Sequence, residues 1–172
     1  KEHWDENGLR IEHADAKEVE AVAYDMMISG KDSDAVSVLR LWRAQNINNF
    51  DMKIFSQGDY MRSMQEDNEA ELISKVLYPS DNHFEGKSLR LKQQYFLVSA
   101  ALQDIIQDHK KRYGDLSLLP EKAAIHINDT HPALCIPELM RILMDENGFT
   151  WDDAWSIVTR TVAYTNHTVM SE

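Results

Sequence analysis

Four polar residues, Asn128, Asp129, Thr130 and His131, directly follow the short apolar run at 123–127 and precede Pro132. An amide, a carboxylate, a hydroxyl and an imidazole in succession can orient a polar substrate, share a proton or bind a metal. A second cluster has the same character. Val162-Ala163-Tyr164 runs into Thr165-Asn166-His167-Thr168. Two apolar runs, each ending in Asn, Thr and His, suit the lining of one polar pocket. A third polar stretch, Asp81-Asn82-His83, lies between Pro79 and Gly86. Each cluster also has a plain structural reading. Asp129 or Thr130 suits the cap of a helix opening at Pro132. Asp81 and Asn82 bond their own backbone in turns, and His167 suits a turn histidine. Capping leaves Asn128 and His131 unexplained.

Other chemistries find less support. Asp129, His131 and His167 make a conceivable set of two histidines and a carboxylate for a metal, as a metal-dependent hydrolase would need. No compact His-Glu-x-x-His spacing supports it, and no metal is expected. There is no glycine-rich phosphate loop and no serine on a strand-to-helix turn. Cys135 stands among Ala133, Leu134 and Ile136 and reads as a small buried hydrophobe.

The elements that position these residues follow from periodicity. Residues 14–27 read as a strand, 29–33 as a turn and 35–42 as a second strand, on β-branched content. Residues 46–55 read as loop, with Asn48 and Asn49. The pattern at 59–77 predicts a helix pair around the polar stretch Gln65-Glu66-Asp67-Asn68-Glu69. Such a helix has too narrow an apolar stripe for its own core and is expected to project into solvent or meet another chain. Pro79 ends it. A polar loop at 81–87 leads to a long helix at 88–112, with cations in its last turn. Residues 115–122 read as loop, 123–127 as a strand and 132–146 as a helix distorted by Pro137. Thr150 caps a helix through Thr159, and 162–164 is a strand. Strand, helix, helix, strand predicts a parallel pair and an α/β fold.

The 172 residues suit one domain, and a 43% hydrophobic content suits a real core. A net charge of −11 argues against nucleic acid or an anionic membrane as partner. The single cysteine excludes an internal disulfide. No apolar run reaches membrane-spanning length, and residues 1–12 lack a signal-peptide core. The expected location is cytoplasmic. The chain lacks an initial Met and stops where Ser171 and Glu172 resemble a helix start. It is expected to be a piece of a longer protein.

These residues belong to a series of motifs. The chain carries Leu39-Arg40-Leu41-Trp42, Leu77-Tyr78-Pro79 with Asp81-Asn82, Phe84-Glu85-Gly86-Lys87, and Leu89-Arg90-Leu91-Lys92-Gln93. It continues with Leu102-Gln103-Asp104-Ile105-Ile106, Asn128-Asp129-Thr130-His131-Pro132, Ile136-Pro137-Glu138-Leu139-Met140-Arg141, and Ala163-Tyr164-Thr165-Asn166-His167-Thr168-Val169. In this order they closely resemble the α-glucan (glycogen, starch, maltodextrin) phosphorylases.

The resemblance implies transfer of a terminal glucose from α-1,4-glucan to inorganic phosphate, giving glucose 1-phosphate with retention. It implies pyridoxal phosphate as cofactor, whose phosphate acts in proton transfer. It implies two α/β domains with the active site between them. Residues 1–172 then form part of the N-terminal domain, a partial Rossmann-like domain and one half of a two-domain glycosyltransferase. The cofactor lysine belongs to the C-terminal domain, outside this chain, so the fragment alone is expected to be inactive, with no catalytic residue of its own. By the same resemblance Asp81 and Asn82 lie on the active-site gate, His167 bonds the glucosyl unit, and Asp129 and His131 stand beside the anomeric face. The helix with Tyr60, Met64 and Asn68 resembles the contact helix of a homodimer. Where nucleotide-activated animal enzymes carry two arginines, Gln107 and Asp108 stand, and an acidic residue there would repel an activator's phosphate. The alternative from another class is a non-catalytic glycan-binding or dimerising module.

Overall fold

A computed structural model describes residues 1–6, 8–12, 14–47 and 52–167. The expected loop residues Asn48 and Asn49, Thr168 of the second cluster, and the helix start at Ser171-Glu172 lie outside them. The chain divides into two units, Lys17–Phe96 and the combination of Lys1–Ala16 with Leu97–Glu172.

The unit Lys17–Phe96 opens with a long antiparallel hairpin. The hairpin follows the short strands β1 (Glu2–Asp5) and β2 (Gly8–Ile11) of the other unit in the sequence and consists of β3 (Val19–Ser29) and β4 (Val36–Asn46). Their register runs from Val19 opposite Asn46 to Ser29 opposite Val36, and the turn falls where expected. Asp25 and Arg40 are directly opposed and join through two bonds of 2.7 Å each. This forked geometry is the strong form of a carboxylate–guanidinium pair. The Arg40 guanidinium also sits 5.8 Å from the centre of the Trp42 ring.

A short helix, α1 (Met52–Ser56), stands in part of the expected loop. Gly58, at φ +87°, turns the chain into α2 (Tyr60–Lys75), which is one continuous helix rather than a pair. The polar stretch does not break α2, because Gln, Glu and Ala sustain a helix without apolar contacts. Nor does α2 simply project. It rests on β4 through buried Ala70 and through polar bonds. The Ala44 N–H donates to Ser74 Oγ at 2.9 Å, and Asn46 Nδ2 to Asp67 Oδ1 at 2.9 Å. Lys17 Nζ pairs with Glu69 at 2.5 Å. Tyr60, Met61 and Met64 remain exposed.

The other unit begins with β1 (Glu2–Asp5) and β2 (Gly8–Ile11), an antiparallel pair that polar composition did not reveal. Its bulk follows from α3 (Phe84–Tyr113), which belongs to this unit from Leu97 onward. Residues expected to form a loop make a 3-10 turn, Leu116–Leu118, and α4 (Leu119–Lys122). Asp115 caps the turn, accepting from the Ser117 hydroxyl at 2.7 Å and the Ser117 N–H at 2.9 Å. The hydroxyl first, then the backbone bond, holds the Asp115 carboxyl below its ordinary value.

β5 (Ile125–Asn128) and β6 (Val162–Thr165) pair in parallel, with Ile125 opposite Val162 and Asn128 opposite Thr165. Between them run α5 (Cys135–Arg141), a π-helical turn (Ile142–Glu146) and α6 (Trp151–Thr161). This is the expected crossover, but the first helix starts three residues later than Pro132. Pro137 therefore falls in the first turn of α5, where its missing N–H removes no helical bond. Gly148, at φ +73°, closes the π turn by donating to the Met144 carbonyl at 3.1 Å. Thr150 caps α6 as expected, accepting the Asp153 N–H at 3.2 Å. Leu102, Leu119, Leu139, Ile142, Leu143 and Val158 form the fully buried heart of this unit, with Ile127 of β5 packed among them.

A carboxylate is buried beside that core. The Glu138 carboxylate on α5 accepts from Ser99 Oγ on α3 at 2.7 Å and from Arg141 Nε at 2.8 Å and Nη2 at 2.9 Å. Arg141 Nη1 reaches Glu146 at 2.8 Å. These bonds hold the guanidinium protonated, with Glu138 as the main cause. Among the described residues no helix is long and apolar enough to cross a membrane.

Candidate functional site

Alternation along β5 buries Ile127 and leaves His126 and Asn128 exposed. The strand ends with Asn128, and the Asp129 N–H adds one more bond to the ladder, reaching the Thr165 carbonyl at 2.8 Å. Asp129 then takes φ +59°. Aspartate enters this left-handed region more readily than most residues because its short polar side chain bonds locally. Here the carboxylate bonds across to the neighbouring strand end, with Asp129 Oδ1 accepting the His167 N–H at 2.5 Å. The ring of the same histidine is also held, Nε2 donating to Asn128 Oδ1 at 3.2 Å. His126 Nε2 bonds Thr165 Oγ1 across the same pair of strands.

This geometry replaces the capping assignment for Asp129. α5 is flanked by Leu134, which makes no side-chain cap bond. The turn before it is closed through main-chain groups, Ala133 N–H to Thr130 O at 3.0 Å and Cys135 N–H to Pro132 O at 2.9 Å. His131 lies half-buried in that turn. The structure thus brings together Asn128, Asp129 and His167, with His131 two residues from Asp129. Cys135 is buried, and burial pushes its thiol up to about 11. A thiol so placed is not a nucleophile at neutral pH. Among the described residues no group of three or more His, Cys, Asp and Glu side chains is arranged to hold a metal ion.

Asp81 and Asn82 are exposed and lie within the other unit. Their loop is anchored to the first turns of α3, which starts four residues earlier than periodicity suggested. Arg90 Nη1 donates to Asp81 Oδ2 at 2.7 Å, and Gln93 Nε2 to the Val76 carbonyl at 2.8 Å. His83 Nδ1 accepts the Gly86 N–H at 3.0 Å, as an N-cap does. A Cβ on Gly86 would stand 1.7 Å from the Ser80 carbonyl oxygen. Only glycine permits that approach. Tyr78 opens the loop at φ +57°, a conformation that costs a bulky residue about 1–2 kcal/mol.

Sequence reasoning did not find Arg90 as the partner of Asp81 or Asn128 as the partner of His167. Asn128 had a signal, since capping left it unexplained. Arg90 had none, because only the packed loop brings it to Asp81.

Comparison with known proteins places these residues in a family. The model of the carbohydrate phosphorylases matches residues 1–172, the whole chain. A glycogen phosphorylase of Pasteurella multocida (strain Pm70) is 51% identical over 156 residues, covering 91% of this chain and 19% of the relative. The brain form of glycogen phosphorylase of Mus musculus is 49% identical over 178 residues, covering 95% of the chain and 21% of that protein. The muscle form of Homo sapiens is 49% identical over 166 residues, covering 92% and 20%. The chain spans about a fifth of the length of these curated relatives. With the family model matched from end to end and half of the aligned residues identical to glycogen phosphorylases, the chain belongs to the carbohydrate phosphorylase family.

Proposed function

We propose that the longer protein to which this chain belongs transfers the terminal glucose of an α-1,4-glucan to inorganic phosphate, giving glucose 1-phosphate with retention. In this reading the chain is part of a Rossmann-like N-terminal domain, one half of a two-domain cytoplasmic glycosyltransferase, and supplies glucosyl contacts. His167 bonds the sugar and Asp129 and His131 stand beside its anomeric face; Asp81 and Asn82, in the other unit, belong to the loop that the resemblance makes the active-site gate, with the Asn as its glucose contact. α2, with exposed Tyr60, Met64 and Asn68, serves a homodimer contact.

The observation that carries the reading is the pair of tethered strand ends. Parallel α/β pairs bind ligands at the carboxyl ends of their strands. Here that end presents an amide, a carboxylate and an imidazole held by one another. Neutral and acidic groups of this kind suit the hydroxyls of an uncharged sugar.

The same groups do not fit pyridoxal phosphate, which the reading takes as the cofactor. A phosphorylated aldehyde needs a lysine for its carbonyl and positive charge for its phosphate. Residues 125–131 and 162–168 contain no Lys or Arg. The cofactor and its lysine therefore belong, in this reading, to the rest of the longer protein.

The test is an assay of the full-length protein with maltodextrin and inorganic phosphate. The expected product is α-glucose 1-phosphate, formed only when phosphate is present. Release of free glucose without a phosphate requirement would overturn the proposal.

A further inference from the structure

His167 is exposed, yet the structure fixes it at two points. Its main-chain N–H is taken by Asp129 Oδ1 and its ring Nε2 by Asn128 Oδ1. The two acceptors are consecutive residues, and the left-handed turn at Asp129 lets both face the neighbouring strand end. The second contact has a chemical consequence. An amide oxygen only accepts, so Nε2 carries the proton. A neutral imidazole has one N–H, and Nδ1 is therefore left with its lone pair.

We infer that Asn128 is a positioning residue that sets the tautomer and ring orientation of His167, so that His167 Nδ1 acts as a hydrogen-bond acceptor for a hydroxyl of the sugar. Asp129 anchors the main chain beneath it. The inference rests on the proposed glucosyl role of His167 for its ligand, and on geometry alone for the clamp. It also gives a reason for an amide rather than a carboxylate at position 128. A carboxylate facing Nε2–H would favour the doubly protonated ring, and that ring has no acceptor to offer.

The experiment uses the full-length protein with Asn128→Ala, Asn128→Asp and His167→Ala. Crystal structures of the two Asn128 variants report the ring, and kcat and KM for maltodextrin phosphorolysis are measured against pH. In Asn128→Ala the His167 ring is expected to leave its position, with KM raised about tenfold and kcat changed less. In Asn128→Asp the acid limb of kcat/KM is expected to move to higher pH by about one unit or more. A ring unmoved in Asn128→Ala, together with an unmoved acid limb in Asn128→Asp, would overturn the clamp. Activity unchanged in His167→Ala would instead remove the glucosyl reading. The ring position in Asn128→Ala would then decide the clamp alone.

Discussion

At the scale of single residues, burial decides which groups are chemically idle. Cys135 has a cysteine's chemistry, but its place in the core pushes its thiol up to about 11, against 9.0 for a free thiol. The thiolate is the reactive form. The folded protein is therefore expected to resist iodoacetamide at about pH 8, with Cys135 alkylated only on unfolding. Peptide mass spectrometry reads both states. Glu138 is the converse case, a buried charge retained because every approach to it is satisfied. Removing one member of a buried pair strands the other, at about 3–5 kcal/mol when both are fully enclosed. Arg141 keeps partial access to solvent and a second partner in Glu146. Glu138→Ala is accordingly expected to cost about 3 kcal/mol, and urea unfolding measures it.

At the scale of elements, the parallel pair β5–β6 and its helical crossover were legible because each rests on a local signal. Ala123 to Ile127 is apolar, Thr150 is a cap, and Val162 to Tyr164 is apolar again. The strand-end residues were legible for the same reason, as polar groups where apolar runs stop. The start of α5 was not. Pro132 carries a helix-start signal, but Asp129 is drawn across to β6 and the turn at Thr130 delays the helix to Cys135. The β1–β2 pair was missed because each strand has only four residues, and Trp4 in one and Leu9 and Ile11 in the other make too short an alternation to read. The loop at 77–83 shows an element held by a single hydrogen atom in place of a side chain. Gly86→Ala would force a methyl against the Ser80 carbonyl. It is expected to displace Asp81 and Asn82 and to cost about 1–3 kcal/mol, as overpacking does. Thermal unfolding and the position of the loop in a crystal of the variant check this. The β3–β4 hairpin carries the pH dependence at this scale. Its Arg40 bond holds the Asp25 carboxyl below the ordinary 3.8. The stabilisation is thus fully present above that value and is lost as pH falls through the lower folded one. The stability difference between the protein and Asp25→Asn is expected to shrink on acidification below about pH 4, as measured by urea unfolding at each pH.

At the scale of the whole molecule, the chain is one part of a carbohydrate phosphorylase, matched over all 172 residues and spanning about a fifth of its relatives. Its two units each carry candidate sugar contacts, one set on a glycine-anchored loop and the other at two tethered strand ends. The central claim is that the second set holds a glucosyl unit. The most direct measurement is kcat/KM for phosphorolysis of maltodextrin by the full-length protein and its His167→Ala variant. Removing His167 leaves a sugar hydroxyl without its acceptor, which costs about 1–3 kcal/mol when the group is shielded from water. A fall of at least about fivefold in kcat/KM is expected, with the folded state intact by thermal unfolding. A variant as active as the wild type would contradict it.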